Sequence, residues 1–178
     1  MLEGILRESI DKQTIKSLRR DGYLIANIYG KGAENIHCAF KKTEFVKFIK
    51  NKPSLKFKVK VGGKEHEVII QDYQKDPVTS DLLHVDLRIL NYGEASIFLV
   101  PVKTVGTPIG LKNKGVLIMS KRRIKVKCKP ENLPEAITVD VSGLDVGNTV
   151  LVRELPALEG VTVRHPGSDA VVGVMKAK

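Results

Sequence analysis

Aromatic residues are scarce in this chain: they make up 5% of its 178 residues, and tryptophan is absent. Proteins that hold single-stranded nucleic acid use aromatic side chains as platforms on which bases stack. Most of the five phenylalanines fall at positions that predict burial. The sequence therefore argues against a protein that binds single strands.

Cysteines and long apolar runs are also few. Cys38 and Cys128 lie far apart and form no CxxC pair, which predicts reduced thiols, a cytoplasmic location and no metal site. No apolar run approaches the ~18 residues of a membrane helix. Glu3, Glu8 and Asp11 interrupt the first 20 residues, so we expect neither a secretory signal nor a membrane partner.

Motifs of the common enzyme classes are missing. The chain has no nucleophile elbow, no glycine-rich phosphate loop after a strand and no HExxH. His84 and Asp86 stand two residues apart, which leaves a hydrolase built on this pair as one hypothesis. Otherwise we predict no catalytic residue, no cofactor and no small-molecule substrate.

Positive charge is abundant, with a formal net charge of +10 and a pI near 9.6. This balance favours a polyanionic partner, nucleic acid before membrane. Residues 41–64 contain nine lysines and one acid, Glu44, and residues 93–129 contain nine basic residues and one acid, Glu94. Because lysines act as point charges, we expect the first cluster to attract phosphates without reading sequence.

The stretch Leu82–Leu90 alternates with period two, which predicts a half-buried strand. Its apolar face carries Leu83, Val85, Leu87 and Ile89, and its polar face carries His84, Asp86 and Arg88. An ionised carboxylate only accepts hydrogen bonds, so on a basic surface it suits recognition of donors. Duplex RNA offers such donors in its shallow minor groove, as 2′-hydroxyls and guanine amino groups. The alternative is a surface carboxylate paired with Arg88.

The remaining patterns predict a mainly β chain with a few short helices, an α+β fold class. One helix spans Thr14–Gly22, with Lys16 and Arg19 projecting outward toward phosphates, and a second is capped by Thr43. Composition shifts at 91–93, which predicts domains at 1–92 and 93–178, the second also β-rich. The predicted strands cover residues 2–8 (weakened by Gly4), 24–29, 36–40, 55–61, 65–72, 82–90, 97–102, 116–119, 124–128, 137–141, 149–152, 161–163 and 170–175.

Several short motifs occur together in a specific order. They are Leu18-Arg19-Arg20-Asp21-Gly22, Ile28-Tyr29-Gly30, Lys64-Glu65-His66-Glu67-Val68, Gln71-Asp72-Tyr73-Gln74 and His84-Val85-Asp86, followed later by Leu133-Pro134-Glu135 and Val139-Asp140-Val141-Ser142-Gly143-Leu144. Over the whole chain this set resembles bacterial large-subunit ribosomal protein twenty-five, in its long two-domain form, the general stress protein CTC family.

The resemblance implies a first domain that is a small β-barrel and binds the minor groove of 5S ribosomal RNA in the central protuberance. It also implies partners among 23S ribosomal RNA and neighbouring large-subunit proteins. A stress-related factor that binds the ribosome only conditionally is the alternative. The resemblance assigns RNA contacts to Arg7, Lys12, Arg19, Tyr29, Gln71, Gln74, His84 and Asp86, to which the patterns above add Lys16 and Arg88.

Overall fold

Alternating apolar residues close six strands of the first half of the chain into a barrel. The computed structural model describes residues 2–7, 9–52 and 54–177, and the chain divides into two compact units, Met1–Asn91 and Tyr92–Lys178. The strand order around the barrel is β1-β3-β2-β6-β5-β4. The strands are β1 (Leu2–Leu6), β2 (Tyr23–Gly30), β3 (Ala33–Lys41), β4 (Lys56–Val61), β5 (Lys64–Lys75) and β6 (Leu82–Ile89).

The barrel interior is filled by one face of each strand. On β4 the side chains of Phe57, Val59 and Val61 are buried, and on β6 those of Val85 and Leu87 are buried. Each such side chain contributes about 1.5–3 kcal/mol when it leaves water. The barrel implied by the resemblance and the predicted α+β class, mainly β with short helices, are therefore both confirmed.

Gly4 has a different role from the one its type suggests. A Cβ at this position would lie 2.5 Å from Cε1 of Phe40, whose side chain is fully buried. Gly4 was predicted to weaken the first strand, and the structure adds a further role, because its missing side chain makes room for a core aromatic ring. The strand ends at Leu6, and predicted residue 8 lies outside the described residues.

Two helices accompany the barrel. The first, α1 (Lys12–Arg20), begins two residues before the predicted start, with Asp11 at its N-cap. It ends at Arg20 with Asp21 as its C-cap, and the predicted stop, Gly22, follows the cap with a φ of +80°. The second, α2 (Lys42–Asn51), has Lys41 and not Thr43 at its N-cap. The N–H of Lys42 donates to the carbonyl of Gly22 at 3.0 Å, so the backbone satisfies a donor at this helix start.

The second unit is built from two sheets. One has the order β10-β7-β9-β12 and the other the order β11-β13-β8. Both sheets bury valine and isoleucine side chains, such as Val100 and Ile124 in the first and Val174 in the second. The strands are β7 (Ser96–Val105), β8 (Gly115–Met119), β9 (Arg123–Cys128), β10 (Ile137–Asp140), β11 (Thr149–Leu151), β12 (Thr162–Val163) and β13 (Ala170–Lys176).

Candidate nucleic-acid interface

Strand β6 lies between β2 and β5 and carries the polar row that its alternation predicts. Parallel pairing with β2 places His84, Asp86 and Arg88 beside Ile25, Asn27 and Tyr29. Antiparallel pairing with β5 places Gln74 opposite His84 and Asp72 opposite Asp86. Residues paired side by side on adjacent strands point to the same face. The polar row of β6 is therefore the centre of a three-strand surface on the outside of the barrel.

Asp86 and His84 lie next to each other at the centre of this surface. Nδ1 of His84 lies 3.5 Å from Oδ1 of Asp86, and both side chains are partly buried. This separation is long for a hydrogen bond. Asp86 therefore keeps capacity to accept hydrogen bonds from a ligand on the outer face.

Two arginines stand close to His84. The guanidinium of Arg19 donates from Nη2 to the carbonyl of Leu83 at 3.2 Å, which ties the end of α1 to β6. Arg7 is 9% exposed, and its Nη2 donates to the carbonyl of Ser9 at 3.4 Å. Its Nε is buried and makes no hydrogen bond within the described part of the chain.

The charges around His84 act in opposite directions. Burial lowers the pKa of its imidazole most, and the positive charges of Arg19 and Arg7 lower it further. The carboxylate of Asp86 opposes this and raises it. The net effect holds the pKa below its ordinary value, so the imidazole is neutral near pH 7 and can both donate and accept a hydrogen bond.

Tyr29 lies beside Arg88 at the end of the same surface. Burial raises the pKa of its phenol, and the charges of Asp86 and Asp72 raise it further, while Arg88 opposes them. These electrostatic interactions place the two carboxylates, the phenol and the guanidinium in one neighbourhood. The phenol stays protonated and can donate a hydrogen bond.

Gln71 and Gln74 occupy different environments on β5. Gln74 is exposed and stands opposite His84. Gln71 falls where the register shifts between Ile70 and Asp72, which marks a β-bulge. Its Oε1 is buried and has no hydrogen-bond partner among residues 2–7, 9–52 and 54–177. Because the bulge adds one residue to β5, the side chains of Asp72 and Gln74 point to the outer face, opposite Asp86 and His84.

Lys12 and Lys16 lie on the exposed side of α1, whose Ile15 and Leu18 are half-buried. The helix contacts β2, next to β6 in the barrel. These two lysines therefore flank the strand surface and do not belong to it, in keeping with a role in holding phosphates.

The lysine-rich strand β4 is less basic than the sequence predicts. Lys58 and Lys60 stand opposite Glu67 and Glu65 on β5, and Nζ of Lys60 lies 3.9 Å from Oε1 of Glu3. Elsewhere in the same lysine cluster, Lys41 pairs with Glu44 at 3.7 Å and Lys42 pairs with Asp81 at 2.7 Å. Apart from Glu44, these acids lie outside the cluster, and the fold places them beside its lysines, where they offset part of its charge.

Three further polar residues share the interface and were not singled out from the sequence. Asp72 is opposite Asp86, Asn27 is beside it on β2, and His37 on β3 holds Asn27 through an Nδ1 to Oδ1 contact of 3.0 Å. The alternation of Leu24-Ile25-Ala26-Asn27-Ile28-Tyr29 does place Asn27 and Tyr29 on one face, which is the signal that could have found Asn27.

The chain matches two family models. Residues 2–87 match the Ribosomal L25p family, and residues 98–178 match the C-terminal domain of ribosomal protein TL5. Within the described residues, no helix is long and apolar enough to cross a membrane, and no cluster of metal-binding side chains is found.

Full-length relatives agree with both models. A protein named large ribosomal subunit protein bL25 from Wolinella succinogenes is 64% identical over 178 residues, covering all of both chains. Proteins of the same name from Nitratiruptor and from Helicobacter pylori strain J99 are 61% and 56% identical over the same full length. The chain therefore belongs to the family of large ribosomal subunit protein bL25, in the form that carries a TL5-type C-terminal domain after the barrel.

Proposed function

We propose that this protein is a structural constituent of the large ribosomal subunit in the bacterial cytoplasm, where its barrel binds 5S ribosomal RNA through a minor groove. The observation that carries the proposal is the surface formed by β2, β6 and β5. It combines acceptors and neutral polar groups at its centre with arginines and lysines near its edge.

The centre of the surface suits the groove of an RNA duplex. Asp86, Asp72 and Asn27 offer oxygen acceptors to 2′-hydroxyls and to guanine amino groups. Tyr29 and His84 donate to oxygens of the groove edge. A surface that only attracted phosphates would gain nothing from two carboxylates, so this arrangement favours contact with sugars and bases.

The edge of the surface suits the flanking backbone. Arg19 lies beside His84, Arg88 ends the row on β6, and Lys12 and Lys16 project from α1, while the buried Arg7 adds its positive charge near His84. Contacts of this kind position a protein on a duplex without specifying sequence. Gln74, exposed opposite His84, can donate or accept, and Gln71 lies at the bulge beside Asp72 with its Oε1 buried.

Membership of the bL25 family supports assembly of this chain into the large ribosomal subunit. The relatives are large ribosomal subunit proteins, and a 5S RNA complex in the central protuberance would bring the chain to 23S ribosomal RNA and to neighbouring ribosomal proteins. Co-sedimentation with 50S particles through high salt distinguishes a resident constituent from a stress-related factor. A constituent stays bound at salt concentrations that release a conditional one.

A gel shift with 5S RNA tests the proposal directly. The full-length chain should bind 5S RNA at least about tenfold more tightly than an unrelated structured RNA of equal length, at one stated salt concentration. Equal binding to both RNAs, or to heparin, would show that only charge is recognised. Ester or phosphate hydrolysis that is lost on His84→Ala would instead support the hydrolase hypothesis.

A further inference from the structure

A second row of cations crosses the outer face of the second unit. Arg123, Lys125 and Lys127 alternate along β9 with the buried side chains of Ile124, Val126 and Cys128. Alternate residues of a strand project to one side about 7 Å apart. All three basic side chains are exposed.

The residues in register with this row on β7 and β12 include no acid. On β7 the residues in register with Arg123, Lys125 and Lys127 are Pro101, Leu99 and Ile97. On the other side β12 places Thr162 opposite Lys127. This differs from β4, where two of three lysines stand opposite glutamates of β5.

Further cations extend the row sideways. The N–H of Arg164 donates to the carbonyl of Lys125 at 2.9 Å, which continues the antiparallel register and places Arg164 opposite Lys125. Lys103 is exposed on β7 two residues beyond Pro101. Like charges directly opposite each other destabilise a sheet. The placement of Arg164 opposite Lys125 therefore lowers the stability of the sheet, which favours a role for these two cations in binding a ligand.

We propose that this β9 surface, formed by Lys103, Arg123, Lys125, Lys127 and Arg164, is a second RNA-binding surface that contacts the phosphate backbone of a duplex independently of the barrel. Point charges without carboxylate neighbours in register suit phosphates and carry little sequence information. The residues beside them on β7 and β12, Ile97, Leu99, Pro101 and Thr162, are uncharged and do not compete with phosphates for the cations. The nearby acid Asp169 is already paired with Lys121 at 2.9 Å.

A salt titration of the full chain with a generic 16-base-pair RNA duplex tests the proposal. The triple variant Lys125→Ser, Lys127→Ser, Arg164→Ser should reduce the slope of log affinity against log salt by about two. The matched control Lys56→Ser, Lys58→Ser, Lys60→Ser removes the same charge from β4 and should reduce the slope by less than about one. Equal effects of the two triples, or no effect of the first, would overturn the proposal.

Lysine protection provides a measurement that needs no variant. Reductive methylation of the wild-type chain, read by mass spectrometry, should be slowed at Lys125 and Lys127 when the duplex is added, and not at Lys58. Unchanged methylation of Lys125 and Lys127 would contradict the proposal. The proposal would also be contradicted if polyglutamate of equal charge protected Lys125 and Lys127 and the RNA duplex did not. That result would indicate an acidic protein as the partner.

The two RNA proposals fail in different ways. Loss of preference for 5S RNA over an unrelated RNA would overturn the function proposed for the barrel and leave the protection of Lys125 unaffected. A barrel that binds 5S RNA normally while Lys125 stays reactive would overturn only the proposal for the β9 surface.

Discussion

Asp72 and Asp86 stand directly opposite each other on neighbouring antiparallel strands of the barrel. Like charges in this position destabilise a strand pair. Both raise the pKa of Tyr29 as well, so their charges act on the same part of the surface. The ligand proposed above, which presents donors, would account for two acceptors side by side in a protein of net charge +10.

Replacing Asp86 tests this explanation most directly. Asp86→Ala should weaken binding to 5S RNA by about 1–3 kcal/mol, although it removes a negative charge from a protein that binds a polyanion. Affinity is measured by gel shift or calorimetry at constant salt.

The control for Asp86 is Glu65→Ala, which removes one negative charge from the part of β5 opposite Lys60. This variant should leave the affinity for 5S RNA unchanged or increase it, because it changes only the attraction between the positive charge of the protein and the RNA phosphates. Tighter binding by both variants would show that Asp86 is merely a repulsive charge.

The imidazole of His84 should titrate below its ordinary pKa of 6.5. Because folding lowers this pKa, the contribution of neutral His84 to stability is fully present above pH 6.5 and is lost as the pH falls below it toward the folded-state pKa. The variant Asp86→Asn removes the charge that raises the pKa and should lower it further. Arg19→Ala should raise it.

These shifts can be followed by NMR titration of the imidazole protons. His165 in the second unit is an internal reference, because burial and Lys121 lower its pKa and Asp169 raises it through a separate set of charges. A pKa of His84 that rises in Asp86→Asn would show that the two side chains do not interact as the structure indicates.

Gly4→Ala should destabilise the barrel. The added Cβ would lie 2.5 Å from a ring carbon of Phe40, and overpacking of a filled core costs about 1–3 kcal/mol. The free energy of unfolding is measured with urea. Glu3→Ala changes the exposed neighbour and should shift it by less than about 0.5 kcal/mol. Equal stability of the two variants would contradict the assigned role of Gly4.

The thiol of Cys38 should be inert in the native protein. Burial raises its pKa to about 12, with Arg7 opposing, so the reactive thiolate is nearly absent at pH 8. In the variant Cys128→Ser, which isolates this thiol, Ellman's reagent should react slowly in buffer and at once in guanidinium chloride. Rapid reaction without denaturant would show that the strand pairing around Cys38 opens easily.

Local patterns were enough to predict much of this protein. The alternation of β6 determines that Val85 and Leu87 turn inward and that His84, Asp86 and Arg88 turn outward, because successive side chains of a strand point to opposite faces. Gly22 determines where α1 ends, since a left-handed residue terminates a helix cheaply when it has no side chain.

Relationships between distant segments were decided only by the tertiary structure. The residues that stand beside Asp86, the glutamates opposite the lysines of β4, and the room that Gly4 leaves for Phe40 all depend on strand register. Register is set by core packing and by bulges such as the one at Gln71, which involve many residues at once. A charge count along the chain therefore overestimates the basic character of β4. The surface of β9, whose neighbours in register on β7 and β12 include no acid, keeps the charge that its sequence predicts.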